Sequence, residues 1–341
     1  MARVLTVNAG SSSLKLSLLA EGSDEPLAAR ELHAPAPGTE PGALREALSG
    51  ALGAADCVAH RIVHGGERFR SPVLVDAAVR AELEQLTALA PLHQRASLAM
   101  LDAVCSVLPE LPAAACFDTA FHATLPAAAS TFALPAAWRE RWGLRRYGFH
   151  GLSHAHVARL VADTVGAGMR IISCHLGSGA SLCAIKDGRS LDTTMGFTPL
   201  DGLVMATRSG SVDPGLLLWL LKHSWLTEPE IAYALEHESG LRGLAASGDI
   251  REVLAARASG DAVATVAIDV YLHRLRSAIG SMLAALGGVD VIAFTGGVGE
   301  NSQQVRDGAL TGLDALLGTA KVLTLHARED LEMARQARAL L

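Results

Sequence analysis

Paired cysteines, long apolar runs and a surplus of basic charge are all missing from this chain, and each absence removes a class of protein. Five cysteines (Cys57, Cys105, Cys116, Cys174 and Cys183) are scattered over 341 residues, in apolar surroundings and with no C-x-x-C pair. That excludes a disulfide scaffold and fits reduced, buried thiols in a cytoplasmic protein. No run of 18 apolar residues escapes interruption by charge or glycine, so no transmembrane helix and no membrane partner are expected. The opening residues, MARVLTVNAG, lack the long apolar core of a secretory signal and read as a strand of the fold. A formal net charge of −6 leaves no basic footprint for nucleic acid. A Walker A loop, G-x-x-x-x-G-K-[ST], is also missing.

What is present is length, apolar content and glycine. The chain is long enough for two domains with real cores, half of its residues are hydrophobic, and 33 are glycine. The most informative stretch is VLTVNAGSSSLKLSL, residues 4–18. Val4 to Val7 is a strand by composition, Asn8 to Ser13 a tight polar turn, and Leu14, Leu16 and Leu18 an alternating second strand. A turn of glycine and three serines exposes backbone N–H groups and hydroxyls with little bulk, and Lys15 adds a point charge. An oxyanion such as phosphate needs this combination. An ordinary β-hairpin turn remains the other reading of the stretch.

A second hairpin echoes the first. Arg170–His175 reads as a strand, Gly177-Ser178-Gly179-Ala180-Ser181 as a turn and Leu182–Ile185 as a strand, with Lys186-Asp187-Gly188 turning into the next. Two such hairpins about 165 residues apart suggest a duplicated domain. Between them lie short apolar strands at Cys57–Val63 and Ala113–Phe117. Helical periodicity marks Asp76–Leu89, Ala96–Leu108 and Ser153–Thr164, with Pro91-Leu92-His93 as a break. Residues 20–56 read as a loop followed by a helix around Pro41–Ala54. Beyond the second hairpin, Glu228–Leu235 and Asp261–Leu286 read as helices, and Val289–Thr295 as a strand running into the glycine turn Gly296–Asn301. Lys321–Leu325 is a last strand and Glu329–Leu341 a last helix. Leu216–Leu221 reads most simply as a buried helix. His60/His64 and His150/His154 stand four apart, a spacing that binds zinc on helices. Neither pair has the H-E-x-x-H form and both lie beside glycine breaks, so zinc is not expected.

The blocks NAGSSSLK, HRIVHGGE, FDTAFH, RRYGFHGLSH, HLGSGAS, TTMGFTPLDGLVMATRSG and FTGGVGEN, in this order, resemble the acetate kinase family over nearly the whole chain. The resemblance implies an α/β fold of two duplicated actin-like (ribonuclease H-like) domains with a nucleotide cleft between them. Expected limits are 1–122 completed by the C-terminal helix 330–341, and 123–329. It also implies reversible phosphoryl transfer from ATP to acetate, giving acetyl phosphate and ADP, with Mg2+ (or Mn2+) and a homodimer for which Leu216–Leu221 is one candidate surface.

Residue by residue, the resemblance implies Asp118, His150 and Arg208 as catalytic, with Asn8 and Glu329 at the metal. The substrate carboxylate falls to Arg61, and the acyl pocket to Val63, Leu92, Phe149 and Pro199, with His93 in a supporting role. Nucleotide contacts fall on Ser13 and Lys15, on His175, Leu176, Gly177, Ser178 and Gly179, on Asp249, Ile250 and Arg251, and on Gly297, Val298, Gly299, Glu300 and Asn301. The residue types suit the chemistry. Acetate is ionised at pH 7 and needs no general base. Two anions must meet, so positive and hydrogen-bonding groups have to offset the charge spread over the transferring phosphoryl. A planar arginine fork suits a carboxylate.

Several positions depart from the family pattern. Ser178 stands where asparagine is usual, and its shorter side chain bears on nucleotide affinity. PLHQRAS replaces PLHNPAN, and Ser211 replaces an aspartate. HAREDL replaces PTNEEL and sets Arg328 beside Glu329, where its charge is expected to weaken Mg2+ binding or to contact a phosphate. A propionate or butyrate kinase and a pyrophosphate-dependent acetate kinase stay open as alternatives. From another class, so does a nucleotide-binding regulatory protein without turnover, because fold does not imply function.

Overall fold

The computed structural model describes residues 2–9, 14–32, 44, 46–48 and 50–341, apart from the side chains of Ala51 and residues 91–93. The turn that includes Ser13 and most of the helix expected around Pro41–Ala54 lie outside the described residues; Gly50–Ala54 is a short 3-10 turn. The chain forms two compact units. The first comprises residues 1–123, 149–156 and 328–341, and the second residues 124–148 and 157–327.

The first unit is built on six strands: β1 (Val4–Ala9), β2 (Leu14–Leu19), β3 (Ala28–Leu32), β4 (Cys57–Ile62), β5 (Val73–Leu74) and β6 (Ala113–Phe117). Their order is β3-β2-β1-β4-β6-β5. β1, β4 and β6 run parallel, whereas β2 and β3 fold back as an antiparallel meander. Alternating side chains feed two faces, as the two-residue period of a strand requires. Leu5, Val7, Leu14, Leu16 and Val58 pack under Leu44, Met100 and Val104. Val4, Leu19, Cys57, Ala59, Ala114 and Cys116 pack under Met333, Ala334 and Ala337 of the last helix, Glu329–Arg338.

The second unit repeats the plan. Its strands β7 (Arg170–Leu176), β8 (Ala180–Lys186), β9 (Arg189–Thr193), β10 (Val291–Thr295) and β11 (Lys321–Thr324) lie in the order β11-β10-β7-β8-β9. β7, β10 and β11 are parallel, and β8 and β9 form the meander. Strand for strand this is β6-β4-β1-β2-β3, so the duplication inferred from the hairpins is a duplication of topology. The 25-residue helix Ala262–Leu286 lies on this sheet, starting at an Asp261 cap and ending at Gly287 in the left-handed conformation. The turn Lys186-Asp187-Gly188 has φ of +51° and +71° at Asp187 and Gly188, the geometry of a two-residue hairpin.

Four sequence expectations need correction. Residues 20–56 hold a strand, β3, an exposed edge whose polar run AAREL masks it. Pro91 does not delay the next helix to Ala96; it opens the helix Pro91–Val107, since a first-turn proline loses no hydrogen bond. Gly296–Asn301 is itself a short helix rather than an open turn, with φ of +79° at Gly296 marking the entry. Leu216–Leu221 is helical but not buried. No residue of the helix Pro214–His223 is buried, and Leu218 is 68 % exposed.

Two buried histidines give the fold a dependence on pH. His60 on β4 is 2 % exposed, and its Nε2 has no hydrogen-bond partner among the described residues. Burial pushes its pKa down to about 4, with Asp102 pulling weakly the other way. Burial does the same to His64, also to about 4. Below the ordinary value of about 6.5 the unfolded chain binds protons that the native chain refuses. Stability is therefore expected to be flat above pH 7 and to fall as pH drops from about 6.5 towards 4, by on the order of 3 kcal/mol for one histidine. Urea unfolding across this range should show a shallower fall for His60→Leu than for the wild type; equal slopes would show that His60 is not a source.

Candidate active site

Strand register sets up the site of the first unit. Val7 pairs with His60 across β1 and β4, and Ile62 with Phe117 across β4 and β6. The Asp118 N–H then donates to the Ile62 carbonyl at 3.1 Å. Asn8, Arg61 and Asp118 thus form a row along the carboxyl ends of the parallel strands, where open α/β sheets bind ligands. Glu329 joins them because its helix packs on the same sheet through Met333 and Ala334.

The side chains interlock. Arg61 Nε donates to Asp118 at 3.1 and 3.0 Å, and Nη2 donates to Oδ2 at 2.7 Å. Its Nη1 donates to Asn8 Oδ1 at 3.1 Å and lies 3.5 Å from Glu329 Oε2. Asn8 Nδ2 donates to Glu329 Oε2 at 2.7 Å. Asp118 is nearly inaccessible, at 1 % exposure. Burial pushes its carboxyl upward, Arg61 pulls it down, and Glu329 adds a like charge. Burial also works against the Arg61 cation, but Asp118 and Glu329 outweigh it, and the guanidinium is held firmly protonated.

Two carboxylates share one guanidinium here, so the cluster carries an excess of negative charge in a desolvated place. Hard oxygens with that excess fit a divalent cation bound through one or two carboxylates and completed by substrate phosphate. Asn8 Oδ1 keeps a second lone pair beyond its bond to Arg61. Arg328 is not a loose charge beside Glu329, since its guanidinium grips Asp330 at 2.9 and 3.0 Å. The expectation that it reaches a metal or a phosphate therefore finds no support in its contacts.

His150 enters the same neighbourhood through the backbone. The Gly151 N–H donates to the Asp118 carbonyl at 2.8 Å, and a Cβ on Gly151 would collide with that oxygen. His150 itself has φ of +57°, a conformation that costs a side-chain-bearing residue on the order of 1 kcal/mol. Next to it Phe149 is buried, its carbonyl bonded to His122 Nε2 at 2.9 Å and its ring 5.6 Å from the His64 ring. Val63 is buried beside His64. Leu92 and His93 lie in the first turn of the helix Pro91–Val107. Lys15, exposed on β2, pairs with Asn8 in register.

In the second unit, His175 and Leu176 end β7 and lead into the turn Gly177-Ser178-Gly179, closed by a Gly177 N–H to Gly179 carbonyl bond of 2.9 Å. The Ser178 carbonyl accepts from the Ala206 N–H at 3.1 Å. Gly296–Asn301 follows β10, with Gly296 so close to the Leu176 carbonyl that a Cβ would meet it at 2.7 Å. Val298 lies within this helix and Gly299 is buried against Phe294. Asn301 Nδ2 donates to the Gly297 carbonyl at 2.8 Å. Glu300 spends its carboxylate on the Gly296 and Ala327 N–H groups, at 3.0 and 2.9 Å, and on His326 Nδ1 at 2.7 Å. Asp249 caps the helix Ile250–Ala258 and pairs with the exposed Arg251, whose hydrogen bonds hold its pKa down to about 2; Ile250 is buried. Arg208 Nη1 donates to the Pro199 carbonyl at 3.4 Å.

Sequence reading gave three residues no supporting role. Gln94 is fully buried against the His64 peptide. Arg146 Nη1 donates to the Thr193, Thr194 and Met195 carbonyls at 3.1, 3.1 and 2.9 Å. Ser211 Oγ donates to Asp201 Oδ1 at 2.5 Å and accepts from the Gly202 N–H at 3.0 Å. Nothing but tertiary contact distinguishes them from surface polar residues.

Comparison with known proteins bears on the family and the fold. The model of the acetokinase family matches residues 44–329. The acetate kinase of Trichormus variabilis is 45 % identical over 317 residues, covering 86 % of this chain and 78 % of that protein. Among solved structures, the acetate kinase of Porphyromonas gingivalis superposes with a TM-score of 0.89 at 32 % identity. A propionate kinase from Francisella tularensis does so with a TM-score of 0.93 at 31 % identity, and both cover the whole of each chain. With one topology repeated in two units and the charged row in place, this chain belongs to the acetokinase family.

Proposed function

We propose that this protein is an acetate kinase, transferring the γ-phosphoryl group of ATP to acetate to give acetyl phosphate and ADP, reversibly. The observation that carries the reading is the joined row Asn8, Arg61, Asp118 and Glu329 at the carboxyl edge of the first sheet, in a chain of this family. One acetate carboxylate oxygen forms a bond to the γ-phosphorus as the bond to the β,γ-bridging oxygen breaks, and ADP leaves with the electron pair. The nucleophile is already an anion, so the protein's task is positioning and charge compensation.

Each residue has a role under this reading. Arg61 offers a planar fork that now holds one carboxylate, Asp118, and suits another, the acid substrate. Asn8, Glu329 and Asp118 would hold Mg2+, which supplies charge neutralisation on the phosphate oxygens. His150 and Arg208 stabilise the charge that spreads over the transferring phosphoryl. Val63, Leu92, Phe149 and Pro199 would form the pocket for the methyl group, with His93 in a supporting role. The His175–Gly179 turn, Asp249–Arg251 and Gly297–Asn301, together with Ser13 and Lys15, take the nucleotide. Among these, the backbone of the Gly177–Gly179 turn and of the short helix Gly296–Asn301 is the better suited, because Glu300 and Asp249 are already spent on internal partners.

Purified protein assayed with acetate, propionate and butyrate, and with ATP and pyrophosphate, is expected to form acyl phosphate from acetate and ATP best. No acyl phosphate from any pairing would overturn the reading. Arg208→Ala should lower kcat by roughly 100- to 1,000-fold, the scale of one lost transition-state donor, with nucleotide binding kept. Asp118→Asn should abolish turnover and also cost stability, because the buried Arg61 loses its nearest carboxylate and keeps only the longer contact with Glu329.

The same reading includes a homodimer. On the helix Pro214–His223, Leu216, Leu218, Trp219 and Leu221 are between 45 % and 68 % exposed, and Trp225 just beyond is fully exposed. Apolar surface of this density is a contact surface in search of a partner. Sedimentation should give a dimer for the wild type and a monomer for Leu218→Glu/Trp219→Glu; a wild-type monomer would remove the dimer from the proposal.

A further inference from the structure

We infer that Gln94 is a positioning residue for acyl-chain selection, gripping the N–H and the carbonyl of His64, the residue after Val63. This inference rests on the acetate kinase reading. Beyond Ile62, β4 has no ladder partner, so the backbone of the next residues must be held in another way. Gln94 does so with one side chain. Its Oε1 accepts the His64 N–H at 3.1 Å, and its Nε2 donates to the His64 carbonyl at 3.2 Å and to the Leu83 carbonyl at 3.4 Å. The side-chain amide thus imitates a neighbouring strand for one residue, and it is 0 % exposed.

What the grip controls follows from its neighbours. Its backbone end is His64, whose N–H belongs to the peptide shared with Val63, so it bears on where Val63 stands. The His64 ring, held by the Gly66 N–H on its Nδ1 at 2.8 Å, packs edge-on against Phe149 at 5.6 Å. Gln94 itself lies in the first turn of the helix Pro91–Val107, directly after Leu92 and His93. One amide therefore ties three of the four proposed acyl-pocket residues, Val63, Phe149 and Leu92, to one another through backbone and ring. A small pocket discriminates by a methylene only as well as its walls are fixed. In this chain the width of the pocket depends on Gln94.

Gln94→Leu keeps the volume and removes both hydrogen-bonding groups. It is expected to raise KM for acetate about tenfold and to narrow the acetate-over-propionate ratio of kcat/KM by at least about threefold, with KM for ATP unchanged within about twofold. A merely structural role would lower stability or kcat for all substrates alike and leave the ratio untouched. Should Gln94→Leu fail to fold, Gln94→Glu carries the test. Its carboxylate accepts from the His64 N–H but faces two carbonyl oxygens, whereas its protonated form restores the donor. The acid selectivity of Gln94→Glu should approach that of wild type as pH falls, and diverge as pH rises. A wild type active on acetate with the ratio unmoved in either variant, or with KM for ATP shifted as much as KM for acetate, overturns this inference alone. A wild type that makes no acyl phosphate overturns it together with the reading beneath it.

Discussion

A buried guanidinium between two carboxylates is the constraint around which the first unit is organised. Arg61 lies at the end of one parallel strand and Asp118 just past the end of the next, and neither is tolerable there without the other. The pair fixes how far the strands run and where Asn8 must come. It also gives the last helix its reason for starting where it does, since Glu329 has to arrive within reach of Asn8 and Arg61. That helix comes from the far end of the chain, 321 residues away from Asn8. Burying such a cluster costs stability that an apolar row would not, and an enzyme for two anions is where that cost has a use.

Much of this was legible in the sequence because local signals coincide with global ones. Strands β1, β2, β4, β6, β7, β8, β10 and β11 are short apolar runs, most of them stopping at or near a glycine, histidine or aspartate, and the structure has them close to where the pattern places them. The row Asn8, Arg61 and Asp118 was accessible because each residue ends a strand. What stayed hidden depends on contacts across the sequence. β3 is an exposed edge whose polar residues carry no alternation. Leu216–Leu221 looks like core by composition, and nothing within a single chain tells an apolar helix that is covered by the protein from one that is not. Gln94 and Arg146 look like surface residues until their carbonyl partners are known.

The two units show how one topology is put to different uses. Each has three parallel strands and a two-strand meander. In the first unit that edge is furnished with fixed charges: Arg61, Asp118 and, through the last helix, Glu329. In the second the same edge is furnished with backbone. Gly177 and Gly179 close one turn, and Gly296 opens a helix so near Leu176 that no side chain fits. Charged side chains give strong, directional fields but must be paired when buried; glycine-rich backbone gives N–H donors and close approach without a charge to neutralise. Transfer of a phosphoryl group from a polyphosphate to a small carboxylate has use for both. Duplication supplied two copies of the scaffold, and the two edges are furnished differently.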